Sequence, residues 1–191
     1  MANKDAAFGL KPIGKVGQNR DNQGLSEYDI AASATAIYFN DPVKMKNDGT
    51  IEVAGAGGAI LGSINGVFFT DATTSKPTFA NHLNASNTAT DIVGFISDDP
   101  YQRFEIQTNN SGASAKTDIF NVADIEYTAG SSPDFVSAVE LNDSTLAQGS
   151  SATLQILSLS KDPDNSDVGS ANVNWVVRIN EHELDMNVNG G

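Results

Sequence analysis

Apolar and polar residues alternate along most of this chain in short runs with a period of two. No long segment repeats apolar residues at spacings of three and four. A period of two marks strands, whose successive side chains point to opposite faces; spacings of three and four mark one face of a helix. The clearest run sets Val173, Trp175, Val177 and Ile179 against Asn174, Val176, Arg178 and Asn180. It predicts a strand with one continuously apolar face, with Trp175 in the core. Phe104 and Ile106 alternate in the same way with Arg103, Glu105 and Gln107, and Tyr28 and Ile30 with Glu27 and Asp29. Val43 and Met45 alternate with Lys44 and Lys46, and Asn47-Asp48-Gly49 then leads into Ile51-Glu52-Val53. These two segments predict a hairpin, because the turn needs a positive φ that Gly adopts without strain. Ala36 to Phe39 form an apolar run stopped by Asn40-Asp41-Pro42. Further strands are predicted near 59–64, 66–70, 92–97, 103–107, 118–127, 135–141 and 152–159, with Gly- and Ser-rich gaps at 109–115, 129–134 and 147–151. Phe135 to Leu141 is the one helical candidate, and it ranks below strand. Many short strands divided by turns predict an all-β fold, an antiparallel β-barrel or sandwich.

The opening residues break the pattern. Phe8, Leu10, Pro12, Ile13 and Val16, spaced by Gly9, Gly14 and Gly17, fit neither period. Met1 to Arg20 also hold four of the eleven basic residues against one of the twenty-four acids, so this segment is near +3 and the remainder near −16. The expected organisation is an extended basic N-terminal arm over 1–25 and a single β-rich body over 26–191. A basic, glycine-hinged arm ahead of an acidic body reads as a segment that grips something else. Its expected contact residues are Lys4, Phe8, Leu10, Lys11, Pro12, Ile13, Lys15 and Arg20. Such an arm is expected to be mobile when free and to order against its partner.

Composition narrows the classes. A 39% apolar fraction in 191 residues supplies a core for one domain without metals or bridges. With no cysteine there is neither a disulfide framework nor thiolate chemistry. A net charge of −13 argues against nucleic-acid binding. No stretch nears the ~20 apolar residues of a membrane-spanning helix, and the first residues carry no apolar run long enough for a signal peptide. Synthesis in the cytoplasm of the producing cell is the expectation.

Catalytic and metal-binding patterns fail one by one. Gly55, Gly57 and Gly58 do not complete a phosphate-binding loop, since Ile stands at 60 and no Lys-Ser/Thr pair follows. The Gly-Ser sequences at 130–132 and 149–151 lack the closing Gly of a nucleophile elbow. His82 sits in a polar loop. His182 is flanked by Glu181 and Glu183, but Met occupies position 186, where a metalloprotease helix carries its second His. A calcium loop opening at Asp162 would want Gly sixth and Glu twelfth, and those places hold Asp167 and Val173. The chain is therefore expected to have no catalytic residues, no cofactor and no metal site.

Several segments, in order, resemble a family of tailed-bacteriophage virion structural proteins of the capsid decoration or cement type. They are Ala2-Asn3-Lys4-Asp5-Ala6-Ala7-Phe8-Gly9-Leu10-Lys11-Pro12, Tyr28-Asp29-Ile30-Ala31, and Asn40-Asp41-Pro42-Val43. The most recognisable stretch is Gly66-Val67-Phe68-Phe69-Thr70-Asp71-Ala72-Thr73-Thr74-Ser75-Lys76-Pro77-Thr78-Phe79, followed by Asn81; position 72 is Ala where the family pattern has Pro. Asp98-Asp99-Pro100, Phe104-Glu105-Ile106-Gln107, Leu157-Ser158-Leu159, Pro163-Asp164-Asn165 and Val177-Arg178-Ile179-Asn180-Glu181-His182-Glu183 complete the set. The resemblance implies a non-enzymatic β protein on the outer surface of the virion shell. The expected partners are the major capsid protein and other copies of the chain itself, and neither nucleic acid nor membrane; a trimer is favoured because many polar strands leave sheet edges that copies can cover and an icosahedral lattice offers three-fold sites. A tail or baseplate subunit is the first alternative. A carbohydrate-binding β module is the second; it would need a cluster of exposed aromatics, for which one Trp and four Tyr are a thin supply.

Overall fold

In the computed structural model, which describes residues 3–16, 24–149 and 151–185, alternating sequence becomes the strands of antiparallel sheets. The fold is all-β and sandwich-like, and helical structure among the described residues is limited to two single 3₁₀ turns, Lys116–Asp118 and Asp143–Thr145. The first strand, β1 (Lys11–Lys15), belongs to the second of two large sheets. The next six build the first: β2 (Ser26–Asp29), β3 (Pro42–Met45), β4 (Ile51–Val53), β5 (Gly62–Thr70), β6 (Pro77–Ala80) and β7 (Val93–Ser97). Their order is β2-β7-β5-β3-β4, with β6 paired to the far half of β5. The hairpin β3–β4 turns at Gly49, whose φ is 84°, as the Asp-Gly pair predicts. The sheet curls until Ile30, just past β2, bridges Ile51 in β4. Ile30, Val43, Ile51, Ile64, Val67, Ile92 and Ile96 fill the inside. Gly94 faces the same interior, where a Cβ would stand 3.1 Å from the Ile30 δ-methyl, so the glycine leaves room for the isoleucines.

The second sheet uses β8 (Gln102–Gln107), β9 (Val122–Ala123), β12 (Leu154–Leu159) and β13 (Asn174–Ile179) in the order β1-β8-β13-β12-β9. A small ladder of β10 (Ile125–Glu126) and β11 (Glu140–Leu141) turns it back, and Leu141 bridges Thr108 just past β8. This curl encloses a second core, in which Phe104, Ile106, Leu154, Ile156, Val177 and Trp175 are fully buried. The alternation of β13 is realised in full: Trp175 pairs with Ile106 and Val177 with Phe104, all facing inward. The connection between β4 and β5 stitches the two cores, since Ala54 and Ile60 lie in the second and Leu61 in the first. Ile60 also donates its N–H to the Glu181 carbonyl at 3.0 Å and accepts from Glu183 N–H at 3.1 Å.

Residues 3–16 are extended, but along the body rather than away from it. The expectation of a mobile arm is corrected for this stretch by its hydrogen bonds. The Lys4 carbonyl accepts from Asn165 Nδ2 at 2.7 Å and from Gln107 Nε2 at 3.0 Å. Leu10 N–H donates to the Asn40 carbonyl at 2.9 Å, and the Leu10 carbonyl accepts from Ser63 Oγ at 2.6 Å. β1 then pairs with β8, with a bulge at Ile13. Gly9 has φ of 73°, and a Cβ there would run into the Asn40 carbonyl and Ser137, so the close approach needs glycine. Residues 17–23, and with them Arg20, lie outside the described residues.

Elsewhere the segments 59–64 and 66–70 merge into the single strand β5, bulged at Asn65. The runs at 36–39 and 135–141 become mostly isolated bridges, because Phe39 pairs with the loop at 135–137 instead of a strand.

Candidate functional site: an aromatic face on the first sheet

The bulge at Asn65 sets which side chains of β5 meet water. After it, Val67 points into the core at 1% exposure and Phe68 points out. Register carries that choice across four strands: Phe79 in β6 pairs with Phe68, Phe68 with Val93 in β7, and Val93 with Asp29 in β2. One step along, Phe95 of β7 pairs with Gly66 on one side and Glu27 on the other. Paired residues share a face. The outer surface therefore shows three phenylalanines and a valine, hemmed along the β2 edge by two carboxylates. Phe79 is 73% exposed, the most exposed large apolar side chain described. Its ring lies 4.8 Å from Phe68, tilted by 49°, and 6.3 Å from Phe95, nearly parallel at 18°. Glu27, Phe68, Phe79, Val93 and Phe95 line a shallow depression of about 330 Å³.

The rim is acidic. The segments that build this face, 26–29, 62–80 and 91–97, carry Glu27, Asp29, Asp71 and Asp91 against the single base Lys76. The Thr70 hydroxyl and N–H hydrogen-bond to Asp91 and hold its carboxyl below the usual range, so it is ionised near neutrality. Asp71 is lowered by the N–H and hydroxyl of Thr74, in the turn that joins β5 to β6. A contiguous apolar patch on an otherwise polar surface marks a place where another surface sits.

The contact residues expected in the arm, Arg20 excepted because it lies outside the described residues, are found elsewhere, along the edge of the second sheet. Leu10 is completely buried and is a core residue, which removes it from any contact surface. Lys11 pairs with Glu105 at 3.1 Å and passes over the Phe8 ring at 5.8 Å; Lys15 pairs with Asp99 at 2.8 Å. Lys4 is exposed, Phe8 and Pro12 are half-buried, and Ile13 is 46% exposed at the bulge. The structure brings none of them to the aromatic face. A cavity of about 460 Å³ opens beside Lys11, Pro12, Phe39 and Asn40. Lys11 is held there by Glu105, and the Asn40 amide donates to the Phe8 carbonyl at 3.1 Å.

Both histidines do structural work. His82 stacks on Phe135 with ring centres 3.8 Å apart, and burial pushes its pKa down. His182 is 1% exposed, its Nδ1 accepts the Leu184 N–H at 3.0 Å, and burial pushes its pKa down as well. The Asp162 carboxylate accepts from Asp164 N–H and Asn174 Nδ2, so it organises its own turn. Burial first, and neighbouring carboxylates second, push Glu140 and Asp143 up to about 7. Among the described residues, no group of three or more His, Asp or Glu is placed to hold a metal ion.

The aromatic face is a feature that sequence reasoning missed. Phe68 and Phe69 are adjacent, so alternation leaves open which one faces water, and only the bulge decides. Comparison with protein-family models, with curated proteins and with solved structures finds no match to this chain.

Proposed function

We propose that the protein decorates the capsid of a tailed bacteriophage, binding the outer surface of the major capsid protein shell and reinforcing the head. One observation carries the reading. The stretch most similar to that family, residues 66–79, lies in β5, the turn after it and β6, the hairpin that sets Phe68 and Phe79 on the bare face. On this proposal the shell covers that face. Many copies then reinforce the head through contacts that are individually modest, and copies associate as trimers at three-fold positions, where a closed ring repeats one interface.

The test is co-sedimentation with shells purified from the parent virion and stripped of this protein. Wild type is expected to pellet with the shells. The variant carrying Phe68→Ser and Phe79→Ser is expected to stay in the supernatant while keeping the wild-type circular dichroism spectrum. Equal attachment of the two proteins overturns the proposal. The same rings favour a second reading, a glycan-binding module, because aromatic faces stack on sugars. Saturable binding of soluble oligosaccharides that is lost in the same variant, without attachment to shells, would select that reading instead.

A further inference from the structure

We infer that the aromatic face receives an extended, basic segment of its partner, which crosses the strands from Phe79 over Phe95 to the β2 edge and sets successive arginine or lysine side chains on the two rings and at Glu27 and Asp29. This rests on the decoration reading and names the chemistry of the surface that is covered. Three features point the same way.

The first is charge. Glu27 and Asp29 are exposed, and among the described residues neither forms an ion pair with a cation of this chain. With four acids to one base around the face and −13 over the chain, the same face of another copy is repelled and a basic surface attracted. The second is the pairing of rings with carboxylates. A guanidinium or ammonium group is drawn to an aromatic face, and a planar guanidinium also forks onto a carboxylate. A neutral apolar partner would use the rings and leave two carboxylates facing it without compensation.

The third is spacing. From Phe79 in β6 to Asp29 in β2 the face crosses three strand intervals, about 14 Å at ~4.8 Å each. Phe79 and Phe95 stand 6.3 Å apart. Side chains on one side of an extended chain repeat every ~6.6 Å, so such a segment lying across the strands can set successive same-side residues on the two rings. The expected recognition element is thus a run in which basic residues alternate with small or apolar ones.

The experiment titrates the full-length, ¹⁵N-labelled protein with a nine-residue peptide of alternating Arg and Val. The control peptide has Glu in place of Arg. Saturable amide shifts at Glu27, Gly66, Phe79 and Phe95 are expected with the Arg peptide only, weakening several-fold between low salt and 0.3 M salt. The charge reversal Glu27→Lys with Asp29→Lys should lower affinity at least tenfold, and Phe79→Ser with Phe95→Ser should abolish the shifts. All four positions lie on the surface of the face, and unchanged melting temperatures confirm intact folds. Shifts scattered over the acidic surface, or wild-type affinity in the charge-reversed variant, overturn the inference. So does self-association of the wild type through this face.

The shell assay separates the two claims. If Phe68→Ser with Phe79→Ser loses attachment while the charge-reversed variant attaches like wild type, the decoration reading stands and the basic segment falls. If neither variant loses attachment, the decoration reading itself falls.

Discussion

On the second sheet, the outward row Arg103, Glu105 and Gln107 of β8 lies beside Arg178, Val176 and Asn174 of β13. Apart from the exposed Arg103, its polar ends are partnered: Glu105 accepts from Lys11 at 3.1 Å and from the Ser160 hydroxyl. Gln107 donates to the Lys4 carbonyl and accepts the Ala6 N–H at 2.8 Å, and Arg178 Nε donates to Gln155 at 2.8 Å. On the first sheet the corresponding outward row is Phe79, Phe68 and Val93, and among the described residues no chain segment is laid over it. Both sheets alternate, curl and bury aliphatic residues in the same way, so the fold itself does not call for a bare aromatic surface. Residues 3–16 clothe one sheet and leave the other open. The difference locates what is peculiar to this molecule on its surface, outside its cores.

Three changes break or sharpen that contrast. The largest is Trp175→Ala. Trp175 is fully buried beneath the clothed face, and truncating it should cost on the order of 3–5 kcal/mol. Urea denaturation measures this, and a loss under ~1 kcal/mol would show that the two halves do not depend on their cores alike. In the wild type, Trp175 emission should be blue-shifted and poorly quenched.

Next comes Asp41, which is 0% exposed at the meeting of the two sheets and is pushed by burial up to about 6, even though it accepts the Tyr38 N–H at 2.7 Å. An unfolded aspartate titrates near 3.8. Between these values the folded chain keeps a proton that the unfolded chain has released. The contribution of Asp41 to stability is therefore most favourable below about pH 4 and declines as pH rises through about 6, by on the order of 2–3 kcal/mol. His182, whose pKa is lowered, acts in the opposite sense, losing stability as pH drops below its ordinary range. The informative quantity is thus wild type minus Asp41→Asn, and it should decline with rising pH across that window. A difference that stays flat refutes the assignment.

The smallest effect belongs to the bare face. Phe79→Ser should cost no more than about 1 kcal/mol, because the ring is exposed and what it loses are surface contacts with Phe68 and Phe95. A loss above ~2 kcal/mol in thermal or urea melts would make Phe79 structural and erase the contrast.

Most of the strands were legible in the sequence, for a physical reason. Where one side of a strand is buried, alternation must be written into the residues, as in Val173 to Ile179 and across the hairpin from Val43 to Val53. Two strands were not legible. β6 begins at Pro77 and holds one large apolar residue, Phe79, which faces outward, so its pattern reads as loop. β1 is hidden by Gly9 and Gly14, and its place beside β8 follows from hydrogen bonds to residues about ninety positions away. The division into two cores was also silent, since Ile60 and Leu61 are neighbours in sequence yet serve different cores. The aromatic face escaped notice because Trp and Tyr were the residues weighed for exposed stacking, whereas the rings present are phenylalanines.

The position of β1 has a mechanical consequence. β1 and β13 flank β8 and both run antiparallel to it, so they run parallel to each other. Tension applied between Lys11 and Ile179 pulls those outer strands in opposite senses along the sheet. The ladder bonds lie across the strands, so such a load falls on both ladders in shear, all rungs together, rather than peeling them one at a time. A protein fastened at both of these points to neighbouring parts of an assembly would resist stretch as a clamp does.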